Sequence, residues 1–257
     1  MCSTIALRYN RVVTGAVEGA GVTLAYEEAG PPDGPAVVLV HDMAADALTW
    51  ARVAERLEGR VIAYDRRGYG GSGAPEPYRA TTVSEQAEDL VALLAGLGAA
   101  PALLAGEGLG ALAVLDVLRR HPGAARGAVL VDPPLFAFVP EATEELSAQR
   151  AELESAVRAG GPGEAVARWL GTSAEPGRVE RARGNARAFF ADLGGLATLS
   201  LTRAELRAIL ARVVVLTGPA TAPAVRMAAD RVVDLLAAGT RADDGDVAAA
   251  LSALAAR

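Results

Sequence analysis

Residues 103–112 read Leu103-Leu104-Ala105-Gly106-Glu107-Gly108-Leu109-Gly110-Ala111-Leu112. An apolar run enters three alternating glycines and leaves in a helical pattern, which predicts a strand, a sharp turn and a helix. Working outward, short apolar runs recur at 36–40, 61–64, 102–105, 128–131 and 213–216, with a further strand at 22–28. Runs this continuous suit parallel strands buried on both faces. Helical spacing fills the intervals at 50–57, 84–97, 109–120 and 222–236. Such alternation predicts an α/β chain with a mostly parallel, doubly wound sheet and crossover helices.

One interval breaks the rhythm. From 134 to 200 no strand is evident, only polar helical stretches at 144–158, 164–170 and 179–193, the first two separated by Gly160-Gly161-Pro162-Gly163. An insertion this long between sheet strands is usually functional. The expected organisation is a core of 1–133 and 201–257 carrying a helical cap at 134–200.

The composition removes several function classes. The chain has 257 residues, 51% hydrophobic and 22% charged, with a formal charge of −6 and no lysine. That is too apolar for a disordered chain, and too acidic for a nucleic-acid surface built on clustered cations. Cys2 is the only cysteine and His41 and His121 the only histidines, so a disulfide framework, a cysteine-rich cluster and a multi-histidine metal site are not expected. No secretory leader is read at 1–8, and no uninterrupted apolar stretch has the length of a membrane span. A cytoplasmic protein without metal or cofactor is expected, and the oligomeric state is not readable.

Several separated motifs, in order, carry a family resemblance. The segment 103–112 resembles the nucleophile elbow G-x-S-x-G of the α/β-hydrolase fold superfamily. Val38-Leu39-Val40-His41-Asp42-Met43 resembles its oxyanion loop. Tyr64-Asp65-Arg66-Arg67-Gly68-Tyr69-Gly70-Gly71-Ser72 resembles its D-x-R-G-x-G-x-S turn, and 125–133 and 189–216 resemble later core segments. The resemblance runs from about 22 to 257 and implies the α/β-hydrolase fold. It also implies where a Ser-His-Asp triad would stand, and those places are changed. Gly108 holds the nucleophile position. The acid position follows the strand at 213–216, where the chain reads Pro219-Ala220-Thr221-Ala222-Pro223. The base belongs in 239–246, which contains no histidine. The chain therefore reads as a divergent member lacking the triad.

Substitutes are few. His41 stands where the family often has a structural histidine, and His121 ends a helix, where a cation offsets the dipole. Asp65 lies in a structural turn. Ser72, Ser84 and Cys2 have no base nearby in sequence, so a nucleophile–base pair within hydrogen-bond reach cannot be assembled.

The resemblance also places the backbone amides of Met43 and Leu109 as an oxyanion hole, able to polarise a carbonyl or stabilise an enolate. Three carboxylates accompany it. Asp42 replaces the glycine of the family's His-Gly pair, Glu107 precedes the elbow glycine, and Asp132 ends the next strand at the sheet's ligand-binding edge. Each suits general acid–base work. Each also has a structural alternative: Asp42 as a loop cap, Glu107 held ionised by a helix N-terminus, Asp132 as a turn residue before Pro133-Pro134. An aspartate at 42 would repel an anionic intermediate unless protonated or turned outward.

Met43, His41, Leu135, Phe136, Phe138, Trp169, Phe189 and Phe190 are the expected pocket residues, although core packing of the cap would explain the same aromatic clustering. The leading expectation is a non-hydrolytic enzyme acting on an apolar small molecule by cyclisation, isomerisation or elimination, as in natural-product pathways. The alternatives are a binding or structural pseudoenzyme, and hydrolysis by carboxylate-activated water.

Overall fold

A computed structural model describes residues 12–171, 174–242 and 245–256. Cys2, the stretch 1–8, Asp243 and Asp244 lie outside the described residues.

The glycines at the elbow set how the sheet meets its first long helix. Strand β5 (Ala102–Glu107) ends one residue before Gly108, and helix α3 (Leu109–Arg120) begins one residue after it. Gly108 has φ 54° and ψ −119°, a region that side chains disfavour and glycine enters freely. A Cβ on Gly106 would overlap the carbonyl of Gly110, and one on Gly110 would overlap that of Val40. The bare backbones therefore bring α3 directly against the end of β3 (Ala36–Val40). From Leu109 to Leu118 every residue of α3 is buried.

The remaining strands are β1 (Val12–Glu18), β2 (Thr23–Ala29), β4 (Arg60–Tyr64), β6 (Ala125–Val131), β7 (Arg212–Leu216) and β8 (Gly239–Ala242). All eight form one sheet in the order β1-β2-β4-β3-β5-β6-β7-β8. The β1–β2 and β2–β4 pairs are antiparallel and the rest parallel. Val40 lies opposite both Tyr64 and Gly106, so the carboxyl ends of β4, β3 and β5 come level. Every residue of β3 and β4 is buried, as continuous apolar runs in a covered sheet require.

Helices cover both faces. Helix α2 (Val83–Gly96) opens with a reciprocal cap between Thr82 and Glu85, which satisfies two otherwise orphaned amides. With α3 and α8 (Pro223–Leu235) it buries one face, through residues such as Leu90, Leu115 and Val232. On the other face α9 (Val247–Ala255) and the turn of α1 (Ala51–Ala54) pack Leu251 and Ala54 beneath Leu39 and Val129.

Between β6 and β7 the described residues contain no strand. They form α4 (Thr143–Leu170), α5 (Pro176–Gly184), α6 (Ala186–Gly195) and α7 (Arg203–Arg207). The expected break at 160–163 is a kink within α4, with non-helical angles at Gly161 only. Leu153, Val166 and Phe189 from these helices pack with Met43 and Leu109, which seats the insertion directly over the elbow.

Two strands were not anticipated. In β1 every position is half-buried or exposed, so no buried apolar run marks it. The residues of β8, Gly-Thr-Arg-Ala, read as loop in the sequence, yet they pair in parallel with β7.

Candidate functional site

The end of β3 delivers Asp42 to the elbow. The Leu109 amide donates to Asp42 Oδ1 at 2.8 Å, and the Met43 amide stands close enough to lower the pKa of the same carboxyl. These are the two amides expected to form an open oxyanion hole. They converge, but the chain's own carboxyl fills the space between them. A Cβ on Gly108 would overlap that carboxyl, so Asp42 occupies the place of an elbow side chain. Burial pushes the Asp42 carboxyl up to about 6, against the lowering effect of both amides and of Arg66.

His41 holds the loop rather than the ligand. It is fully buried, and its Nε2 accepts from the Arg66 amide at 2.9 Å. Its Nδ1 faces the Asp42 carbonyl oxygen at 2.7 Å, so the neutral Nδ1–H tautomer satisfies both contacts. Burial and the Arg66 cation keep the ring far below its ordinary pKa. His41 does not line the cavity, contrary to expectation, because both nitrogens are spent on backbone.

Arg66 anchors this arrangement from beneath. Its Nε donates to the His41 carbonyl oxygen at 2.8 Å, and its Nη2 reaches Asp192 Oδ2 at 2.7 Å. Asp192, on α6, also accepts from Tyr69 Oη at 2.7 Å and from Gln86 Nε2 at 3.0 Å. Both Arg66 and Asp192 are fully buried. One carboxylate thus ties the helical insertion to the loop that carries Asp42. Sequence reasoning missed this network, since Asp192 lies 126 positions from Arg66 and inside an ordinary helical pattern.

The other two carboxylates differ in setting. Glu107 is pushed up to about 7 by burial, then by the charge of Asp42, with Arg178 opposing and Asp132 adding a further upward push. A helix terminus holding it ionised would act in the opposite sense, and no backbone amide is among the groups that shift it. Glu107 is not part of the cavity lining. Asp132, at φ 47°, does line it, and its Oδ1 accepts from Thr221 Oγ1 at 2.7 Å. Burial raises its pKa, and the Thr221 hydroxyl, Arg226 and Arg241 oppose the shift.

Asp65 and Ser72 form the turn after β4. Asp65 accepts from the Ala47 and Gly71 amides, each at 2.9 Å. Ser72 Oγ donates to the Asp65 carbonyl oxygen and accepts from the Ala25 amide. His121 bonds Glu88 at 3.1 Å at the far end of α3.

Above the elbow lies a cavity of about 1150 Å³. Asp42, Gly108 and Asp132 belong to its lining, and Met43, Leu135, Phe136, Trp169 and Phe190 contribute apolar wall. Besides His41, two further expected residues stand elsewhere. Phe189 is fully buried, edge-on between Trp169 at 5.5 Å and Phe190 at 5.2 Å, and so supports the wall from behind. Phe138 packs against the core under Arg203.

A parallel sheet, an elbow between β5 and α3 and a helical insertion over the strand ends form one recognisable assembly. The family model described as "Alpha/beta hydrolase family" matches residues 37–256. The chain belongs to the alpha/beta hydrolase family. Among curated relatives, "Epoxide hydrolase A" of Mycobacterium tuberculosis (strain ATCC 25618 / H37Rv) is 37% identical over 108 residues, covering 41% of this chain and 34% of its own. "Probable oxidoreductase EphD" of Mycobacterium bovis is 38% identical over 109 residues, covering 40% of this chain and 18% of its own. The chain therefore spans about a third or less of these relatives.

Solved structures extend the likeness to nearly the whole chain. An alpha/beta hydrolase from Sphaerobacter thermophilus DSM 20745 has a TM-score of 0.67 at 24% identity, covering 94% of this chain and 99% of its own. A putative aryl esterase from Burkholderia cenocepacia reaches 0.75 at 20% identity, covering 95% and 100%. At such identities the likeness speaks to the fold. In this alpha/beta hydrolase family member the elbow residue is Gly108, and neither histidine lines the cavity.

Proposed function

We propose that this protein transfers a proton to or from an apolar small molecule with the Asp42 carboxyl, driving an isomerisation, cyclisation or elimination without ester hydrolysis. The observation that carries this reading is the hydrogen bond from the Leu109 amide to Asp42 Oδ1. Acyl transfer needs those amides open to a developing oxyanion, together with a nucleophile and a base in reach. Here a carboxyl already takes the Leu109 donor, and the elbow presents only hydrogen. A carboxyl held near 6 changes protonation close to neutral pH, where a general acid or base works best. It opens onto apolar walls, in keeping with the organisation of small-molecule sites.

A second reading, hydrolysis by carboxylate-activated water, draws on the relative named as an epoxide hydrolase. A third, binding without turnover, uses the same cavity.

One assay set separates them, run on the whole chain and on Asp42→Asn. A β,γ-unsaturated cyclic ketone reports proton transfer by the absorbance of its conjugated product. Styrene oxide reports diol formation, and p-nitrophenyl butyrate reports ester hydrolysis. Conjugation lost in Asp42→Asn supports the proposal. Asp42-dependent diol formation favours hydrolysis instead, and cavity binding with no turnover of any probe favours a binding protein.

A further inference from the structure

The charged residues of the cavity lining come from two places, the elbow side and helix α4. Asp42 and Asp132 stand at the floor and apolar side chains form the middle. The outer wall is one face of α4, which presents Leu146, Leu153 and Val157 among its cavity-lining residues. Beside them, at successive turns of the same helix, lie Arg150, Glu154 and Arg158. Positions four and eight apart share a helix face.

These three charges do not cancel. Arg150 Nε pairs with Glu154 Oε1 at 2.9 Å. Arg158 also lines the cavity, and among the described residues it has neither an ion pair nor a hydrogen bond. Arg150 and Arg158 are the cations of the described lining. The exposed α4 side of the lining therefore carries one unmatched positive charge, while the elbow side carries Asp42 and Asp132. A neutral guest gains nothing from that arrangement, and a cationic guest would be drawn to the floor head first. An anion on an apolar body is held the other way round, with its head at Arg158 and its body toward Asp42.

We propose that the cavity takes an anionic amphiphile, with an apolar body along the α4 face and a carboxylate or phosphate head at Arg158. This rests on the reading of the cavity as the substrate site. It adds the class of substrate and its direction of entry. Head-out binding leaves the far end of the body over Asp42, so the reacting carbons lie remote from the anionic group.

The test is calorimetric titration of the whole chain with decanoate, decyl phosphate, decanol and decyltrimethylammonium. Decanoate or decyl phosphate is expected to bind about tenfold more tightly than decanol, and the tighter of the two identifies the head group. Arg158→Ala should weaken the anion by about three- to tenfold and leave decanol unchanged, as loss of a partly exposed charge contact does. Glu154→Gln, which releases Arg150, should tighten it. Added salt should weaken it. Decanol binding as tightly as the anions, equal weakening of both in Arg158→Ala, preference for the cation, or no binding of any probe would overturn the proposal. Failure of the catalytic reading shows separately, as turnover that survives Asp42→Asn while decanoate still binds through Arg158.

Discussion

The carboxyl of Asp42 and the missing side chain of Gly108 fill one space: a Cβ at position 108 would overlap the carboxyl that Leu109 holds by its amide. Each residue makes the other tenable. Gly108→Ser must therefore both displace Asp42 and place a side chain at φ 54°. The backbone alone costs about 1–2 kcal/mol, and the overlap adds about 1–3 kcal/mol as overpacking does. Urea denaturation should show Gly108→Ser destabilised by that combined order, with no esterase activity gained. In Asp42→Gly/Gly108→Ser the overlap is gone and about 1–3 kcal/mol should return. Purely additive effects across this double-mutant cycle would disprove the shared space.

Asp42 and Glu107 should make stability depend on pH. Both are acids raised in the folded state, to about 6 and about 7, so the folded chain binds more protons than the unfolded one across that range. Stability from Asp42 is then present at acid pH and lost as pH rises from about 4 to about 6; that from Glu107 is lost between about 4.5 and 7. His41, held neutral by burial, acts in the opposite sense below about 6.5. Comparing Asp42→Asn with the parent chain cancels the contribution of His41, which both share. From pH 4 to pH 8 the variant should gain on the parent by up to about 3 kcal/mol. Glu107 should also titrate at lower pH in the variant, read by carboxyl carbon NMR, because the charge of Asp42 helps hold it up.

Asp192 should act on the site from the opposite side of the loop. Removing one partner of a fully buried pair strands the other, so Asp192→Ala should lose about 3–5 kcal/mol in denaturation. Asp192→Asn keeps an acceptor for Tyr69 and Gln86 while removing the charge. Arg66 then faces Asp42 uncompensated, and Asp192 no longer repels it. The acid limb of turnover, or the Asp42 titration itself, should move to lower pH in this variant. An unmoved titration would leave Asp192 a purely structural tie.

The fold was legible because its central strands are continuous apolar runs: 36–40 was read with the bounds of β3, and 109–120 with those of α3. The edges were not. Edge strand β1 has no buried position, and β8 has no apolar residue but Ala242; pairing with β2 and with β7, not an apolar pattern, makes them strands. At the site, the acidic residues could be named from their places in the motifs, but their settings could not. That Asp42 sits in the amide pair depends on contacts 67 positions apart. The one sequence signal for it was joint: an added carboxylate in the loop together with an emptied elbow. The burial that raises Glu107 is a property of packing, which a helix-terminus argument does not contain.

Asp132 allows charge and structure to be separated at a single position. It stands at φ 47° and accepts from Thr221. Asparagine tolerates that backbone and keeps an acceptor oxygen, so Asp132→Asn should stay within about 1 kcal/mol of the parent in stability. Alanine loses the bond and strains the backbone, costing about 2–3 kcal/mol. If Asp42 carries the proton, Asp42→Asn should lower turnover by about 10²-fold or more, whereas Asp132→Asn removes only a second charge from the floor and should lower it less than about tenfold. A reversal of that order, with both variants folded, would transfer the acid–base role from the elbow to the end of β6.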